Sequence, residues 1–461
     1  MRRAITITVL ALTVLAARTS QAQALAPEGF TCSPAPCTLP PTQASEGGAI
    51  VTDTPIAANP VHGQQLLLGS VDANCRGGSN VGLHLSTDGG STWVRIECMP
   101  GIEVDKRGYS AVGEPSVGYD AKGNAYAVGE YYDVLSMGSY GLVGVQRSTD
   151  GANWGDPAVA VLGPGQSYPS WTHLSVDASP VSPRQGALYV STVLFSKAGD
   201  DNQVVVSHSN DGGAAWTQVA IDGVSKSDQA EDQNTRMAVG AKGAVYLTWL
   251  HCSGPQPCAS GTVMLSQSSD GGRSWSVPAR IATSVMEPNG SLPHTGERVY
   301  NYPSVVVDNS NGPYAGNIYI VMYKWTGSYM KVIMIRSTDG GTTWSEPVPL
   351  APKTDTHDQF FPAISVNKDG LVGVSWLDRR NDPNDIDYQA FAAISCDGGQ
   401  TFGPNWQLTT AFSNPSVNGT GDNWMGDYTG NTWVGDKFIA AWMDSSNGVD
   451  MQEVVGGVRL K

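Results

Sequence analysis

Ser268-Ser-Asp-Gly-Gly-Arg-Ser-Trp275 is the stretch of sequence that decides the fold, because five other segments repeat its pattern. Each copy contains Ser-x-Asp-Gly and closes on an aromatic residue, and the second copy is one residue short. The Asp-Gly pair supplies the positive φ angles of a tight hairpin turn, and the Asp carboxylate can accept backbone N–H bonds within that turn. Each copy therefore predicts a β-hairpin. The other copies are Ser86–Trp93, Ser148–Trp154, Ser209–Trp216, Ser337–Trp344 and Ser395–Phe402.

The repeat has a regular period along the chain. Its aspartates recur every 58 to 69 residues, with apolar strand candidates between them, and the 437 residues after position 24 hold about seven such units. We predict an all-β fold: a single β-propeller of seven four-stranded antiparallel blades, closed by pairing of the two chain ends. A six-bladed ring, with residues 411–461 completing the first blade or packing as an extension, is the alternative. The repeat aspartates are Asp88, Asp150, Asp211, Asp270, Asp339 and Asp397.

The start of the chain and its composition restrict the location and the partners. Arg2 and Arg3 precede an apolar run over 4–17, and Ala22-Gln-Ala24 is a small-x-small cleavage pattern, so we predict a signal peptide over 1–24, a propeller over 25–461, and a secreted or periplasmic protein. With 27 Lys and Arg against 42 Asp and Glu, the formal charge is −15. This charge argues against nucleic acid as a partner, and no stretch is long enough for a membrane span. We expect a monomer.

Six of the seven cysteines lie in close pairs, which fits export. Proximity predicts three disulfides, with free cysteines as the alternative and with no zinc-site spacing. The predicted pairs are Cys32 with Cys37, Cys75 with Cys98, and Cys252 with Cys258.

The repeated turns resemble Asp boxes, the bacterial-neuraminidase (BNR) repeats of sialidases and of many other secreted β-propellers. The resemblance covers nearly the whole chain after position 24. It implies that the boxes lie on the outer hairpins of the blades, away from any active site. It further implies a glycoside hydrolase that acts on glycans at the mouth of the central channel, with exo-α-sialidase activity as the specific expectation.

Loops that lead into the first strand and out of the second strand of each blade meet at one mouth of a propeller channel. Acids and aromatics are frequent at these positions here, and carboxylates brought together raise one another's pKa toward values useful for general acid catalysis. Alternatively, these acids cap strand ends. The candidate site residues are Glu114, Glu231, Asp232, Arg236, Arg298, Tyr300, Tyr302, His357, Asp358, Arg379, Asp427 and Tyr428.

The sialidase resemblance implies a role for several candidates. Arg236, Arg298 and Arg379 are the counterparts of the family's three-arginine carboxylate clamp. Tyr300 or Tyr302 with Glu231 would form the nucleophile pair, and Asp232 or Asp358 would be the acid/base. The sequence lacks the family's Phe/Tyr-Arg-Ile/Leu-Pro motif before the first box, which leaves sialidase specificity open.

Two other functions remain open. A polysaccharide lyase would use His173, His251 or His357 with Tyr300 or Tyr428 to remove the proton beside a uronate carboxylate, which an arginine or a cation neutralises. A non-catalytic propeller would bind glycan or protein, with Trp171, Trp325 and Trp424 as stacking surfaces. No cofactor is expected, although the acidic run over 378–387 leaves calcium open.

Overall fold

The computed structural model describes residues 36–75, 79–133, 135, 140–226, 230–253, 260–285, 289–421 and 423–461. These residues form seven antiparallel sheets and no helix, which confirms the predicted all-β propeller with seven blades. No candidate for a membrane-spanning helix occurs in these ranges. The predicted signal peptide lies outside them and stays a prediction.

The strands follow one another in chain order, from the channel outward in each blade. Strand β1 (Cys37–Gln43) belongs to the last blade. Blade 1 contains β2 (Val51–Thr52), β3 (Ile56–Ala58), β4 (Leu66–Asp72), β5 (Val81–Ser86) and β6 (Val94–Cys98). Blade 2 contains β7 (Ile102–Val104), β8 (Arg107–Tyr119), β9 (Ala125–Asp133), β10 (Gly141–Ser148) and β11 (Ala158–Leu162). Blade 3 contains β12 (Ser167–Val176), β13 (Leu188–Ser196), β14 (Asp201–Ser209), β15 (Thr217–Ala220) and β16 (Ser225–Lys226).

The remaining four blades follow the same order. Blade 4 contains β17 (Ala230–Val239), β18 (Val245–Ser253), β19 (Ser260–Ser268) and β20 (Ala279–Val285). Blade 5 contains β21 (Ser304–Val307), β22 (Ile318–Trp325), β23 (Met330–Ser337) and β24 (Val348–Pro349). Blade 6 contains β25 (Gln359–Val366), β26 (Val372–Asp378), β27 (Gln389–Ser395) and β28 (Trp406–Gln407). Blade 7 contains β29 (Gly430–Val434), β30 (Lys437–Asp444) and β31 (Gln452–Arg459).

The two ends of the chain close the ring, as predicted. Strand β1 pairs antiparallel with β31 and forms the outer edge of blade 7. The register shifts between Leu39 and Thr42, where two prolines supply no N–H donors. Beyond β1, the hydroxyl of Ser45 donates to the side-chain carbonyl of Gln452 at 2.8 Å. Closure therefore joins residues more than 400 positions apart.

The boxes have the hydrogen bonds that their sequence predicts. In the fourth box, Oδ1 of Asp270 accepts two successive backbone N–H groups at 3.0 and 2.9 Å and the Ser268 hydroxyl at 2.9 Å. Gly272 has φ +84°, which a glycine adopts without strain. The indole of Trp275 folds back and donates to the Gly272 carbonyl at 3.1 Å. All six boxes lie on outer hairpins of their blades, directly after β5, β10, β14, β19, β23 and β27.

The second box shows what the missing residue changes. Ser148 still bonds Asp150 at 3.0 Å, and the carboxylate still accepts the backbone N–H groups of the turn. However, the indole N–H of Trp154 is buried without a partner, whereas four other boxes bond theirs to a glycine carbonyl. The shorter box therefore keeps the hydrogen bonds to its carboxylate and loses the bond from the indole to a glycine carbonyl.

The core lies between neighbouring blades. For example, Val128 of β9 and Val190 of β13 are completely buried in one cluster between blades 2 and 3. Second strands of later blades carry buried tryptophans, of which Trp249, Trp376 and Trp442 are at most 2% exposed. Each sheet therefore buries both of its faces against its neighbours.

The cysteines bear out the disulfide prediction in part. Cys75 and Cys98 form a disulfide that links the end of β4 to the end of β6. Cys252 is disulfide-bonded, and its predicted partner Cys258 lies outside the described residues. Cys37 has a free thiol, so the predicted pairing with Cys32 is wrong: β1 is fixed by its backbone pairing with β31 instead.

Candidate active site

The innermost strands of blades 2, 3, 4 and 6 share one irregularity. In each of them the first strand advances three residues while its partner advances two. One residue of each step has a positive φ: 49° at Glu114, 59° at Trp171, 59° at Asn234 and 47° at Phe361. Such β-bulges bend a strand and re-aim a side chain, and they are frequent next to active sites. We call these four the bulge residues.

The bulge of blade 2 brings Glu114 into a group of charged and aromatic side chains that we call the mouth cluster. The guanidinium of Arg236 lies 4.1 Å from the ring centre of Tyr302 and 4.7 Å from that of Tyr428. These two rings meet edge to face, with centres 5.5 Å apart. The mouth cluster consists of Asp53, Glu114, Glu130, Arg236, Arg298, Tyr300, Tyr302, Asp427 and Tyr428.

Asp427 is held from two sides. Nη2 of Arg298 donates to both carboxylate oxygens of Asp427, at 2.9 and 3.0 Å. The backbone N–H of Asp427 donates to Oδ1 of Asp53 at 2.6 Å. The Arg298 side chain is 43% exposed and its guanidinium lies 4.7 Å from the ring centre of Tyr300. This ion pair therefore borders solvent.

Three carboxyl groups of the mouth cluster have pKa values above their ordinary range. Burial, followed by the charge of Asp427, raises the pKa of Asp53 to about 7. Burial raises the pKa of Glu130 to about 8, even though Thr172 donates to it through its hydroxyl at 2.7 Å. Burial, followed by the neighbouring carboxylates, raises the pKa of Glu114 well above its ordinary value. Protonated carboxyls are thus present near neutral pH.

Several polar atoms of this region are buried without a hydrogen-bond partner in the described chain. They include Oε2 of Glu114, the Tyr302 hydroxyl, Nε of Arg298 and Oδ1 of the bulge residue Asn234. Buried polar atoms are usually satisfied by protein, water or ligand. Their concentration at one place is what a site for a polar ligand requires.

The tyrosines differ in accessibility. Tyr428 donates its hydroxyl to the Pro115 carbonyl at 2.6 Å, and burial raises the pKa of both Tyr428 and Tyr302 well above 10. Tyr300 is half-buried and packs edge to face against Trp171, with ring centres 5.9 Å apart. Burial also raises the pKa of Tyr300, whereas the nearby Arg298 lowers it. Of the three phenols, Tyr300 is the one that a substrate reaches most easily.

Glu231 and Asp232 are adjacent in sequence but have different surroundings. Glu231 accepts a bond from the Gln233 amide at 2.7 Å, and its charge raises the pKa of Tyr300. Asp232 is fully buried, 2.8 Å from the His251 ring and 2.9 Å from the Trp249 indole nitrogen. Glu231 therefore borders the mouth cluster, whereas Asp232 is held inside blade 4.

Arg379 and Asp358 form a separate network in blade 6. Arg379 is fully buried, lies 3.3 Å from Asp358, and donates to the Pro293 carbonyl at 2.8 Å and to the Thr295 hydroxyl at 3.0 Å. His357 lies 2.9 Å from Asp355. The structure thus brings Arg236 and Arg298 together around the tyrosines, and it engages the third predicted clamp arginine elsewhere.

The acidic residues over 378–387 in blade 6 each have separate hydrogen-bond or ion-pair partners. Asp382 accepts the backbone N–H groups of residues 384, 386 and 387, and Asp387 accepts the Asn414 amide. Asp378 pairs with Arg380. Among the described residues, no three His, Cys, Asp or Glu side chains converge as a metal site.

Asp53 is the acid of the mouth cluster that the sequence prediction omitted, whereas Glu130 lies at the exit of a second strand, a position that the prediction included. Asp53 has φ 57° and lies between β2 and β3 of blade 1, near the position of the bulges in other blades. A repeated tripeptide marks the position of the irregular inner strands, because its proline has no N–H group to donate to a neighbouring strand. It occurs as Glu114-Pro-Ser, Tyr302-Pro-Ser and Phe361-Pro-Ala. Aligning Thr54-Pro55 with them would have pointed to the neighbouring Asp53.

Comparisons with known proteins agree with the architecture. Residues 197–423 match the model of the BNR repeat-like domain. No curated protein matches the chain. An ulvan lyase of a polysaccharide lyase family, bound to a GlcA(1-4)Rha3S unit, is similar over 89% of this chain and 95% of its own, with 12% identity and a TM-score of 0.51.

Two glycosidase structures are also similar. For an α-L-arabinofuranosidase from Fusarium graminearum, the match covers 92% of this chain and 98% of that chain, with 11% identity and a TM-score of 0.49. For the intramolecular trans-sialidase from Ruminococcus gnavus, the match covers 74% of this chain and 91% of that chain, with 12% identity and a TM-score of 0.45. At these identities the likeness concerns the fold. The six Asp boxes and the domain match over residues 197–423 make this seven-bladed propeller similar to BNR-repeat proteins.

Proposed function

We propose that the protein is a glycoside hydrolase that cleaves its substrate at the mouth cluster, with Glu114 as the proton donor and Asp427 as the second carboxylate. Glycosidases of the common type need one carboxylic acid that protonates the leaving oxygen and one carboxylate on the other side of the scissile bond. The mouth cluster offers both forms in one place.

Glu114 carries the proposal. The residue as a whole is partly exposed, whereas its Oε2 is buried and has no hydrogen-bond partner within the described chain. Its pKa is held high by burial and by Glu130, Asp427 and Asp53. A general acid must still hold its proton at the working pH and must reach the leaving group, and this combination supports both requirements.

The arginine arrangement favours a neutral sugar over sialic acid. A carboxylate clamp requires guanidinium groups with free donors that converge on one point. Arg298 already binds Asp427 through both oxygens, and Arg379 belongs to the Asp358 network. We therefore propose a substrate without a carboxylate on the cleaved sugar, and exo-α-sialidase activity is the alternative that the same assay tests.

The experiment is a panel of chromogenic glycosides, neutral polysaccharides, a uronate-containing polysaccharide and a sialoside, assayed for reducing ends and for ultraviolet absorbance of unsaturated products. We expect hydrolysis of a neutral glycoside. Glu114→Gln keeps the shape but removes the acid, so we expect at least a 100-fold loss of kcat, the usual contribution of general acid catalysis. Asp427→Asn should cause a comparable loss.

Glu103→Gln is the matched control, because Glu103 is an exposed carboxylate on β7 of the same blade. It should retain wild-type kinetics. Hydrolysis that survives both Glu114→Gln and Asp427→Asn would contradict the assigned roles. Cleavage of the uronate polysaccharide in which every new reducing end is matched by an ultraviolet-absorbing unsaturated end would instead indicate a lyase.

A further inference from the structure

A cavity of about 140 Å³ lies in the centre of the ring, next to Arg236. All seven blades contribute to its wall, mainly through the residues that follow the bulges, such as Ser116, His173 and Ser304. Glu114, Asp427 and Arg298 do not line it. Of the mouth cluster, only Arg236 and Tyr428 therefore line the cavity, which adjoins the proposed hydrolytic site.

Arg236 is a buried cation with spare hydrogen-bonding capacity. It is 7% exposed and makes one hydrogen bond, from Nη1 to the Thr235 carbonyl at 2.9 Å. It forms no ion pair within 4.0 Å of any carboxylate in the described ranges. The rings of Tyr302 and Tyr428 cover its guanidinium at 4.1 and 4.7 Å. A guanidinium has five N–H donors, and a buried charge without a counter-ion is costly.

The rest of the wall also supplies donors and no anion. The backbone N–H of Met237 donates to Nδ1 of His173 at 3.3 Å, so the proton of the neutral ring is on Nε2. Ser304 also lines the cavity, and its hydroxyl makes no hydrogen bond in the described chain. None of the described residues that line the cavity is Asp or Glu, in a protein whose formal charge is −15.

We propose that this channel cavity is a binding site for a small monovalent anion, either a halide or a carboxylate such as acetate, held by Arg236 with help from His173 and Ser304. The anion supplies the direct ion pair that Arg236 lacks, since the guanidinium acts on the Glu114 carboxyl without a contact within 4.0 Å. The space of about 140 Å³ accommodates such an ion together with a few waters. Binding does not depend on whether the mouth cluster cleaves glycosides.

The test measures thermal unfolding of the full protein against increasing chloride or acetate, with gluconate replacing either ion at constant ionic strength as the bulky control. A ligand that binds only the folded state raises Tm with the logarithm of its concentration. We expect that rise with chloride, acetate or both, and one site per chain by isothermal titration calorimetry. Chloride alone would indicate a halide site, and acetate alone a carboxylate site.

Two variants separate the cavity from general salt effects. Arg236→Met removes the guanidinium, and Ser304→Leu fills the cavity while leaving Arg236 in place. Both should lose the calorimetric signal and the anion-specific rise in Tm. Arg336→Met on β23, outside the channel lining, should keep both.

The Ser304→Leu variant keeps the proposal testable if Arg236→Met does not fold. An equal response of the wild type to gluconate would overturn the site, as would a wild-type response in Ser304→Leu. Anion binding without any hydrolysis would leave this inference standing and would contradict the proposed function alone.

Discussion

Glu114 combines an unusual backbone conformation with an unusual side-chain environment. A non-glycine residue at φ 49° costs on the order of 1–3 kcal/mol and persists only where the surrounding structure enforces it. Here the enforcement comes from the bulge between β8 and β9, and it acts against Pro115, which favours extended backbone at the residue before it. The same bulge places the carboxyl in a buried position near Glu130 and Asp427, and burial, followed by these charges, raises its pKa. Backbone strain and proton retention therefore have one origin.

Asp270 allows a residue-scale test of the box turns. Asp270→Ala removes the acceptor of two backbone N–H groups and of the hydroxyls of Ser268 and Ser274. By analogy with capping residues, we expect a loss of about 1–2 kcal/mol in the free energy of unfolding, measured by urea denaturation. Asp156→Ala, at an exposed aspartate after the second box, is the control and should change little. Equal stability of the two variants would argue against the assigned bonding role.

At the scale of elements, blade 5 reaches the common channel geometry by another route. Instead of a bulge within paired strands, the side chain of Asn301 pairs with the backbone of Tyr323, accepting its N–H at 3.0 Å and donating to its carbonyl at 2.7 Å. Strand pairing then begins at Ser304. An amide side chain thus replaces a peptide group, and Tyr302 is positioned in the mouth cluster without a regular strand around it.

A prediction at this scale concerns the closing of the ring by strand β1. Deleting residues before Gly47 removes the partner of β31 and the bond between Ser45 and Gln452. The exposed edge of β31 should then lower Tm and cause concentration-dependent association, because an unpaired strand edge is a template for pairing. The measurements are differential scanning calorimetry and light scattering.

The matched control for this deletion is a chain that begins at Pro36 and retains β1. It should unfold like the full chain and stay monodisperse. If both truncated chains behave alike, pairing of β1 with β31 is not what closes the ring.

At the scale of the whole molecule, the acids divide into two groups with opposite effects on stability. Box aspartates have lowered pKa values, about 2 for Asp339, so their contribution is present above the unfolded pKa near 4 and is lost as pH falls. Buried carboxyls have raised values, about 7 for Asp53 and Asp358 and about 8 for Glu130 and Asp222. The unfolded chain releases these protons near pH 4 and the folded protein does so only near 7 to 8.

Stability should therefore be greatest at about pH 4–5 and should fall as pH rises toward 8. Glu130→Gln removes one of the responsible groups while keeping an oxygen that accepts the Thr172 hydroxyl. It should flatten the decline by up to about 1.4 kcal/mol per pH unit in urea denaturation between pH 5 and 8. Glu103→Gln, exposed on β7, should leave the slope unchanged. An unaltered slope in Glu130→Gln would show that Glu130 titrates normally.

The sequence predicted the elements better than the contacts between blades. Box turns are local, since Asp270 bonds residues within four positions, and their recurrence gave the number of blades. Glu114, Arg236, Arg298, Tyr302, Asp427 and Tyr428 were predicted as channel-mouth positions by the same periodicity. The sequence did not predict Asp53 as a site residue, because the inner strand of blade 1 is divided into two short strands, β2 and β3. The three-arginine clamp depended on how distant blades face one another.

By itself, the sequence determined the all-β class, the box turns, the seven-fold period and the closing of the ring, because these follow from short-range hydrogen bonding and from repetition along the chain. Only the tertiary structure decided which acids meet, that Arg298 engages Asp427 while Arg379 engages Asp358, and that Arg236 faces a cavity without acids. Apart from the pairing of Arg379 with Asp358 within blade 6, those relations join residues from different blades, and Arg298 and Asp427 are 129 positions apart. They depend on the packing of whole sheets, on which local sequence has no direct influence.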